Sequence, residues 1–252
     1  MSFEVGAEVY GRFMGRYSEQ LALRYLELLD PSPGQRALDV GCGPGALTAA
    51  LVDRLGAGAV TAVDPSQSFV EAARTRFPEV VIEQASAEQL PFPDGTFDLA
   101  VAQLVVHFMT DPVAGIAELG RVTRPGGLIS ACVWDHGAGR GPLSTFWRAV
   151  TELDPSAPDE SDLPGAREGH LLELFEAAGL ADVRPAQLSV RSVFADFAEW
   201  WQPYTFGIGP AGEYVANLDA DQRQRLADRC AQLLPPAPFT IEAMAWTAIG
   251  RA

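Results

Sequence analysis

The chain has no lysine: all 18 of its basic residues are arginine, set against 33 acidic ones. Without an ε-amino group, Schiff-base catalysis by a lysine is excluded. The net charge of −15 repels a phosphate backbone, which disfavours a nucleic-acid substrate or partner. Cysteine is scarce too. Cys42, Cys132 and Cys230 are scattered without metal-site spacing and read as buried free thiols, so no metal is expected. No window reaches ~18 uninterrupted apolar residues, and no membrane span is expected. The opening stretch "MSFEVGAEVYGRF" lacks the basic start and apolar run of a secretory signal, which makes the cytoplasm the expected location.

What is present is an ordinary globular composition over 252 residues, 48% apolar and 20% charged. That length suits one large α/β domain, or one carrying an inserted cap. From Arg36 onward short apolar runs alternate with amphipathic stretches. "RALDV", "AVTAVD", "VVIEQ", "FDLAVAQLVVHF" and "LISACVW" read as five strands. "GALTAALVDRL", "PSQSFVEAARTRF" and "DPVAGIAELGRVT" read as the helices between them, with Ser66 a candidate N-cap and "RPGG" a turn. Strands alternating with helices through short connections imply a doubly wound, mostly parallel sheet with right-handed crossovers. After Trp134 the rhythm breaks. "LSTFWRAVTEL", "REGHLLELFEAAGL", "ADFAEWWQPYTFG" and "DADQRQRLADRCAQLL" are predicted helices, Gly179 a C-cap, and "ADVRPAQLSVRSVF" and "FTIEAMAWTAIGRA" the remaining strands.

The turn "GCGPG" after the first strand poses the chemical question. Gly41, Gly43 and Ala46 satisfy the dinucleotide fingerprint G-x-G-x-x-G/A, and Asp64 ends the second strand at the distance of a ribose-binding acid. A nicotinamide-dependent oxidoreductase therefore stays open on the pattern alone. Two residues argue against it. A diphosphate wants backbone N–H donors and no nearby anion, yet Asp39 sets a carboxylate beside the turn and Pro44 removes an N–H. A cofactor with a cationic amino-acid end, a sulfonium and a nucleoside meets neither objection. S-adenosylmethionine has that shape.

Four segments in register, "LDVGCGPG", "VDPS", "ASAEQLPFPDGTFDLAVAQLVVHF" and "ELGRVTRPGGLI", resemble the class I methyltransferases, specifically the type 11 or ubiquinone/menaquinone-methyltransferase-like group. The likeness is dense from Gln35 to Trp134 and elsewhere rests on the order of elements. It implies a Rossmann-like, seven-stranded sheet with its last strand antiparallel and helical cap insertions late in the sheet. It also implies a single domain: an N-terminal helical segment (1–34), a cofactor-binding core (35–134), cap insertions with the sixth strand (135–238) and a last strand (239–252).

The resemblance also assigns roles. Asp39, Gly41, Cys42, Gly43 and Gly45 would meet the methionine part, and Asp64, with Pro65 and Ser66, the ribose. Ser86, Ala87 and Glu88 would meet the adenine; Ser86 stands where the family often has an acid, and Glu88 is a substitute for it. Gln103 and Leu104, at the end of strand four, are candidate contacts to the methionine part. Tyr10 and Arg16 belong to the helix that closes over the cofactor in similar enzymes, Arg16 as partner of the methionine carboxylate or as a plain surface residue. Phe69 either covers the adenine or is core.

His107, just past strand four, is the candidate catalytic residue, as a general base, a pocket wall or packing. His136 is a lesser candidate, and His170 is expected on a solvated helix face. Phe146, Trp147, Trp200, Trp201, Tyr204 and Phe206 form either a lid over an apolar substrate or plain core and dimer contact. The expectation is methyl transfer to a small, apolar or aromatic molecule by a monomer or homodimer, with a non-catalytic S-adenosylmethionine-binding protein as the alternative.

Overall fold

The computed structural model describes residues 11–252, apart from the Arg12 side chain; Tyr10 lies outside the described residues. A short π-helical turn, Gly11–Gly15, runs into α1 (Arg16–Leu29). There follow β1 (Ala37–Val40), α2 (Ala46–Leu55), β2 (Val60–Asp64), α3 (Gln67–Arg76) and β3 (Val81–Gln84). Then come β4 (Phe97–Gln103), α4 (Pro112–Val122) and β5 (Thr123–Trp134). The late part comprises α5 (Ser144–Leu153), α6 (His170–Ala177), β6 (Ala181–Phe194), α7 (Phe197–Trp201), α8 (Gly209–Ala216), α9 (Ala220–Leu233) and β7 (Phe239–Arg251).

The seven strands form one sheet in the order β3-β2-β1-β4-β5-β7-β6. β1 pairs parallel with β2 and β4, while β7 runs antiparallel between β5 and β6. The strand order reverses between β1 and β4. In an open α/β sheet that reversal leaves a crevice beyond the carboxyl ends of the strands, where ligands bind. Asp39, Asp64 and Gln103 all stand at those ends.

The pleat divides the strands between two apolar layers. Ala37, Leu99 and Val101 face a cluster with α1, α2 and the late helices, while Leu38, Val40, Ala100 and Ala102 face Ile116 and Leu119 of α4 and Leu171 and Phe175 of α6. The helix starts follow the expected capping chemistry: Ser66 accepts from the Phe69 amide, Asp111 from Ala114, and Asp219 forms a reciprocal capping box with Gln222.

Two expectations need correction. The fourth strand stops at Gln103, because Leu104 adopts φ +63° and the chain turns through Val106–Phe108. The run "LVVHF" has strand composition, but its chain leaves the sheet to form the floor of the crevice. In addition, "RPGG" lies within β5 as a bulge, with the pairing jumping from Phe97–Thr123 to Leu99–Leu128. Helix α8, rich in glycine and proline, carries no clear periodic signal and was not predicted.

The aromatic cluster of the late region is packed core. Phe146 is fully buried and stacks on Tyr204 at 4.6 Å, with Trp200 4.8 Å from Tyr204. Helix α1 seals the same layer through Leu21, which is fully buried, while Leu23 is 59% exposed. Leu21→Ala is expected to cost about 2–5 kcal/mol in urea unfolding, whereas Leu23→Ala should stay within about 0.5 kcal/mol of the parent.

Candidate active site

The crevice at the strand reversal is a cavity of about 220 Å³. Its lining includes Asp39, Gly41, Cys42, Gly43, Asp64, Pro65, Ser66, Gln103 and Leu104, so most of the residues singled out from sequence meet in one place. Gly45 stands just behind, capping α2 with φ +88°. Phe69 also lines the cavity although it is 5% exposed. Ser18, Glu19, Val105 and Arg76 line it as well. They had no sequence signal, because they reach the site from α1, the post-β4 turn and the far end of α3.

The conformation of the turn explains its bareness. Gly41 has φ +70°, and a Cβ there would lie 2.4 Å from a Val105 methyl. At Gly45 a Cβ would lie 2.4 Å from the Phe77 ring. The amides of the turn are all spoken for. Gly41 and Cys42 both donate to the Val63 carbonyl at 2.8 and 2.9 Å, Gly43 donates to Asp64 Oδ2 at 2.8 Å, and Gly45 donates to the Cys42 carbonyl at 2.9 Å. Pro44 has no N–H. A diphosphate would find no free donor from 41 to 45.

What the cavity offers instead is acceptors. Asp39 is 1% exposed and accepts a 2.6 Å hydrogen bond from Thr48 Oγ1. Burial, opposed by the Thr48 bond and reinforced by the neighbouring Asp64, pushes its pKa up to about 7. Asp64 accepts from Ser66 N and Gly43 N, one to each oxygen, and burial also raises its pKa. Gln103 donates its Nε2 to the Ser18 carbonyl at 3.0 Å, which leaves its buried Oε1 with no partner. Its amide orientation follows from that bond. Two buried acids and one unsatisfied carbonyl oxygen around an apolar pocket suit a ligand that brings hydroxyls and a cation.

Other sequence candidates stand apart from this cavity. Arg16 pairs through Nη2 with Glu199 at 2.6 Å, lies over the Phe194 ring at 4.2 Å and does not line the cavity. Glu88 Oε1 accepts from the amides of Thr110 and Asp111, bracing the entry to α4. Ala87 is buried in the layer under α4, and Ser86 accepts the Gln89 amide through its carbonyl. None of these three lines the cavity.

A second, smaller cavity of about 50 Å³ adjoins the first, sharing Leu104 and Phe108 as walls. Phe13, Met14, Leu143, Ile208 and Ala211 make it apolar, while His107, Trp134, His136 and Glu160 supply its polar face. His107 therefore lies in this neighbouring pocket. Burial pushes its pKa down to about 3, with His136 adding to the effect. None of the six aromatic residues weighed as a lid lines it. Among the described residues no group of three or more His, Cys, Asp or Glu is placed to hold a metal ion, and no helix is long and apolar enough to cross a membrane.

Residues 38–131 match the family model described as a methyltransferase domain. Over 177 residues the chain is 42% identical to an uncharacterized 37.1 kDa protein in transposon TN4556 of Streptomyces fradiae, covering 68% of this chain and 50% of that one. It is 27% identical over 204 residues to the demethylmenaquinone methyltransferase of Lysinibacillus sphaericus, covering 72% and 86%. The chain spans about half the length of several curated relatives it matches. Among solved structures, a phosphoethanolamine N-methyltransferase 2 of Haemonchus contortus in complex with S-adenosyl-L-methionine superposes with a TM-score of 0.59. It is 17% identical, covering 97% of this chain and 56% of that one.

Two outcomes test the site itself. Between the ordinary aspartate range near 4 and about 7, the folded chain holds a proton on Asp39 that the unfolded chain has released. Stability from this group is therefore full below about pH 4 and is lost as the pH rises through about 7. Asp39→Asn should flatten that decline in urea melts recorded from pH 5 to 8. Gly41→Ala should lower stability by at least about 1–2 kcal/mol, and pairing it with Val105→Ala should recover only the part due to the clash. Through residues 38–131, the chain is similar to the methyltransferase-domain family.

Proposed function

We propose that the chain binds S-adenosylmethionine in the larger cavity and transfers its methyl group to a small molecule seated in the smaller one. The observation that carries this reading is the state of the glycine turn. Its amides are consumed internally, while Asp39 and Gln103 Oε1 face the cavity as acceptors. An α-ammonium fits that arrangement. Asp64, at the end of β2, suits the ribose hydroxyls, since each of its oxygens keeps acceptor capacity beyond its one amide bond.

Once bound, the sulfonium supplies an activated methyl carbon, and the chain's contribution is placement. Holding the acceptor in line with that carbon replaces an encounter of two solutes with a step inside one complex, which contributes much of the rate. The wall of Leu104 and Phe108 shared by the two cavities is where donor and acceptor would meet. Leu104 is held there with a positive φ, a strained conformation for a branched residue that its amide bond to the Cys132 carbonyl helps secure. The mostly apolar lining of the smaller cavity supports an apolar or aromatic acceptor.

Calorimetry with S-adenosylhomocysteine tests the donor site. Asp64→Ala is expected to weaken binding by about 1–3 kcal/mol; unchanged affinity removes Asp64 from the site. Because an ammonium favours ionised Asp39, affinity should rise as the pH passes from 6 to 8, with a proton released on binding near pH 7. Asp39→Asn should abolish that dependence. Stabilisation by NAD in a thermal-shift assay, with indifference to adenosylmethionine, would reverse the reading in favour of an oxidoreductase.

A further inference from the structure

The polar face of the smaller cavity contains an unusual set of unmet hydrogen-bonding atoms. His107 Nδ1, His136 Nε2 and Trp134 Nε1 are buried and have no partner among the described residues. The two imidazoles lie 6.1 Å apart, centroid to centroid. Behind them Glu160, 4% exposed, accepts a 2.6 Å bond from Trp147 Nε1, so a carboxylate is fixed in the wall by the α5 aromatic core. Three buried polar atoms left unmet in one small pocket cost stability. They are better explained by a ligand than by packing.

Their chemistry selects the ligand. The indole can only donate, whereas a neutral imidazole offers one donor and one acceptor nitrogen. Burial keeps both rings neutral, lowering the pKa of each. A carboxylate accepts only, and would sit against Glu160. An ammonium donates only, and would leave the Trp134 N–H unmet. A hydroxyl both accepts and donates, and can take the indole N–H while giving its own proton to an imidazole. A buried imidazole is a weak base, so the hydroxyl must be an acidic one, on an aromatic ring in place of an alkyl chain. The flanking Phe13, Phe108 and Ile208 suit such a ring.

We propose that the acceptor is a phenol, bound neutral through His107, Trp134 and His136, and that the product is its methyl ether. This rests on the methyl-donor reading of the larger cavity. The phenol oxygen forms a bond to the methyl carbon as the carbon–sulfur bond breaks, and the bond pair stays on sulfur. The hydroxyl proton passes to His136 and then to solvent. The positive charge thus moves from the sulfonium to an imidazolium. His136 suits that charge, because Glu160, Asp135 and Asp159 act on it to favour protonation. Arg140 offsets part of this by pairing with Asp135 at 2.5 Å. At His107 burial and, after it, His136 both oppose protonation and no carboxylate offsets them, so it serves as the hydrogen-bonding partner. The proposal therefore assigns the proton to His136, the lesser candidate of the sequence, and the pocket wall to His107.

The experiment titrates 4-nitrophenol into the chain saturated with S-adenosylhomocysteine, at a pH where the free phenol is partly ionised. Selection of the neutral form predicts a saturable loss of the phenolate absorption band. Benzoate and aniline should each bind at least about tenfold more weakly than the phenol. His136→Phe and His136→Asn should each weaken phenol binding at least about tenfold and abolish formation of 4-nitroanisole from adenosylmethionine, with adenosylhomocysteine affinity within about twofold of the parent, which also reports that the variants fold. A phenolate band that grows or stays, benzoate or aniline binding as well as the phenol, or unchanged phenol affinity in both variants overturns the proposal. Failure of adenosylhomocysteine itself to bind would instead overturn the donor-site reading, whereas its binding with no phenol binding overturns the acceptor alone.

Discussion

A buried carboxylate sets the terms of this molecule. Asp39 lies near the end of β1, almost without solvent and tied to Thr48 of the helix that follows. An ionised acid there is costly to the folded chain, and its raised pKa records that cost. Such a group is kept when a ligand compensates it. A cation does so; an anion makes matters worse. The glycine turn is consistent with the same polarity, because its amides close on Val63, Asp64 and Cys42, leaving none for a phosphate.

The fold supplies the position and the late segments supply the enclosure. The order β3-β2-β1-β4-β5 puts a crevice where the winding direction reverses, and α1 covers it while binding Gln103 through the Ser18 carbonyl. Arg16, the first residue of the same helix, fastens it to Glu199 of α7. The segment that leads into this helix also reaches the smaller cavity, through Phe13 and Met14. Such linkage lets the two halves of the site hold a common geometry, which placement-driven catalysis requires.

The central half of the chain was legible because its signals are local. A strand with Asp39 next to its last residue, glycines that a positive φ or a close approach demands, and an acid at the end of β2 are short patterns fixed by backbone geometry. Where the signal is compositional, the reading was weaker. "FDLAVAQLVVHF" is uniformly apolar, so nothing local marks Gln103 as its last strand residue; the turn depends on Leu104 bonding across to Cys132. Glu88 Oε1 accepts the amides of Thr110 and Asp111, a link across 22 residues that no local pattern announces.

The sequence by itself determined the parallel winding, the caps of several helices and the polarity of the first turn, since each depends on residues within a few places of one another. Tertiary structure alone decided the second cavity. His107 follows β4, Trp134 ends β5, His136 follows it and Glu160 lies in a polar connector that reads as solvent-exposed loop. They meet only because β4 and β5 are neighbours and the connector folds back to give Glu160 to Trp147. Burial of a charged residue depends on what the distant chain brings to it, and no short stretch of sequence carries that information.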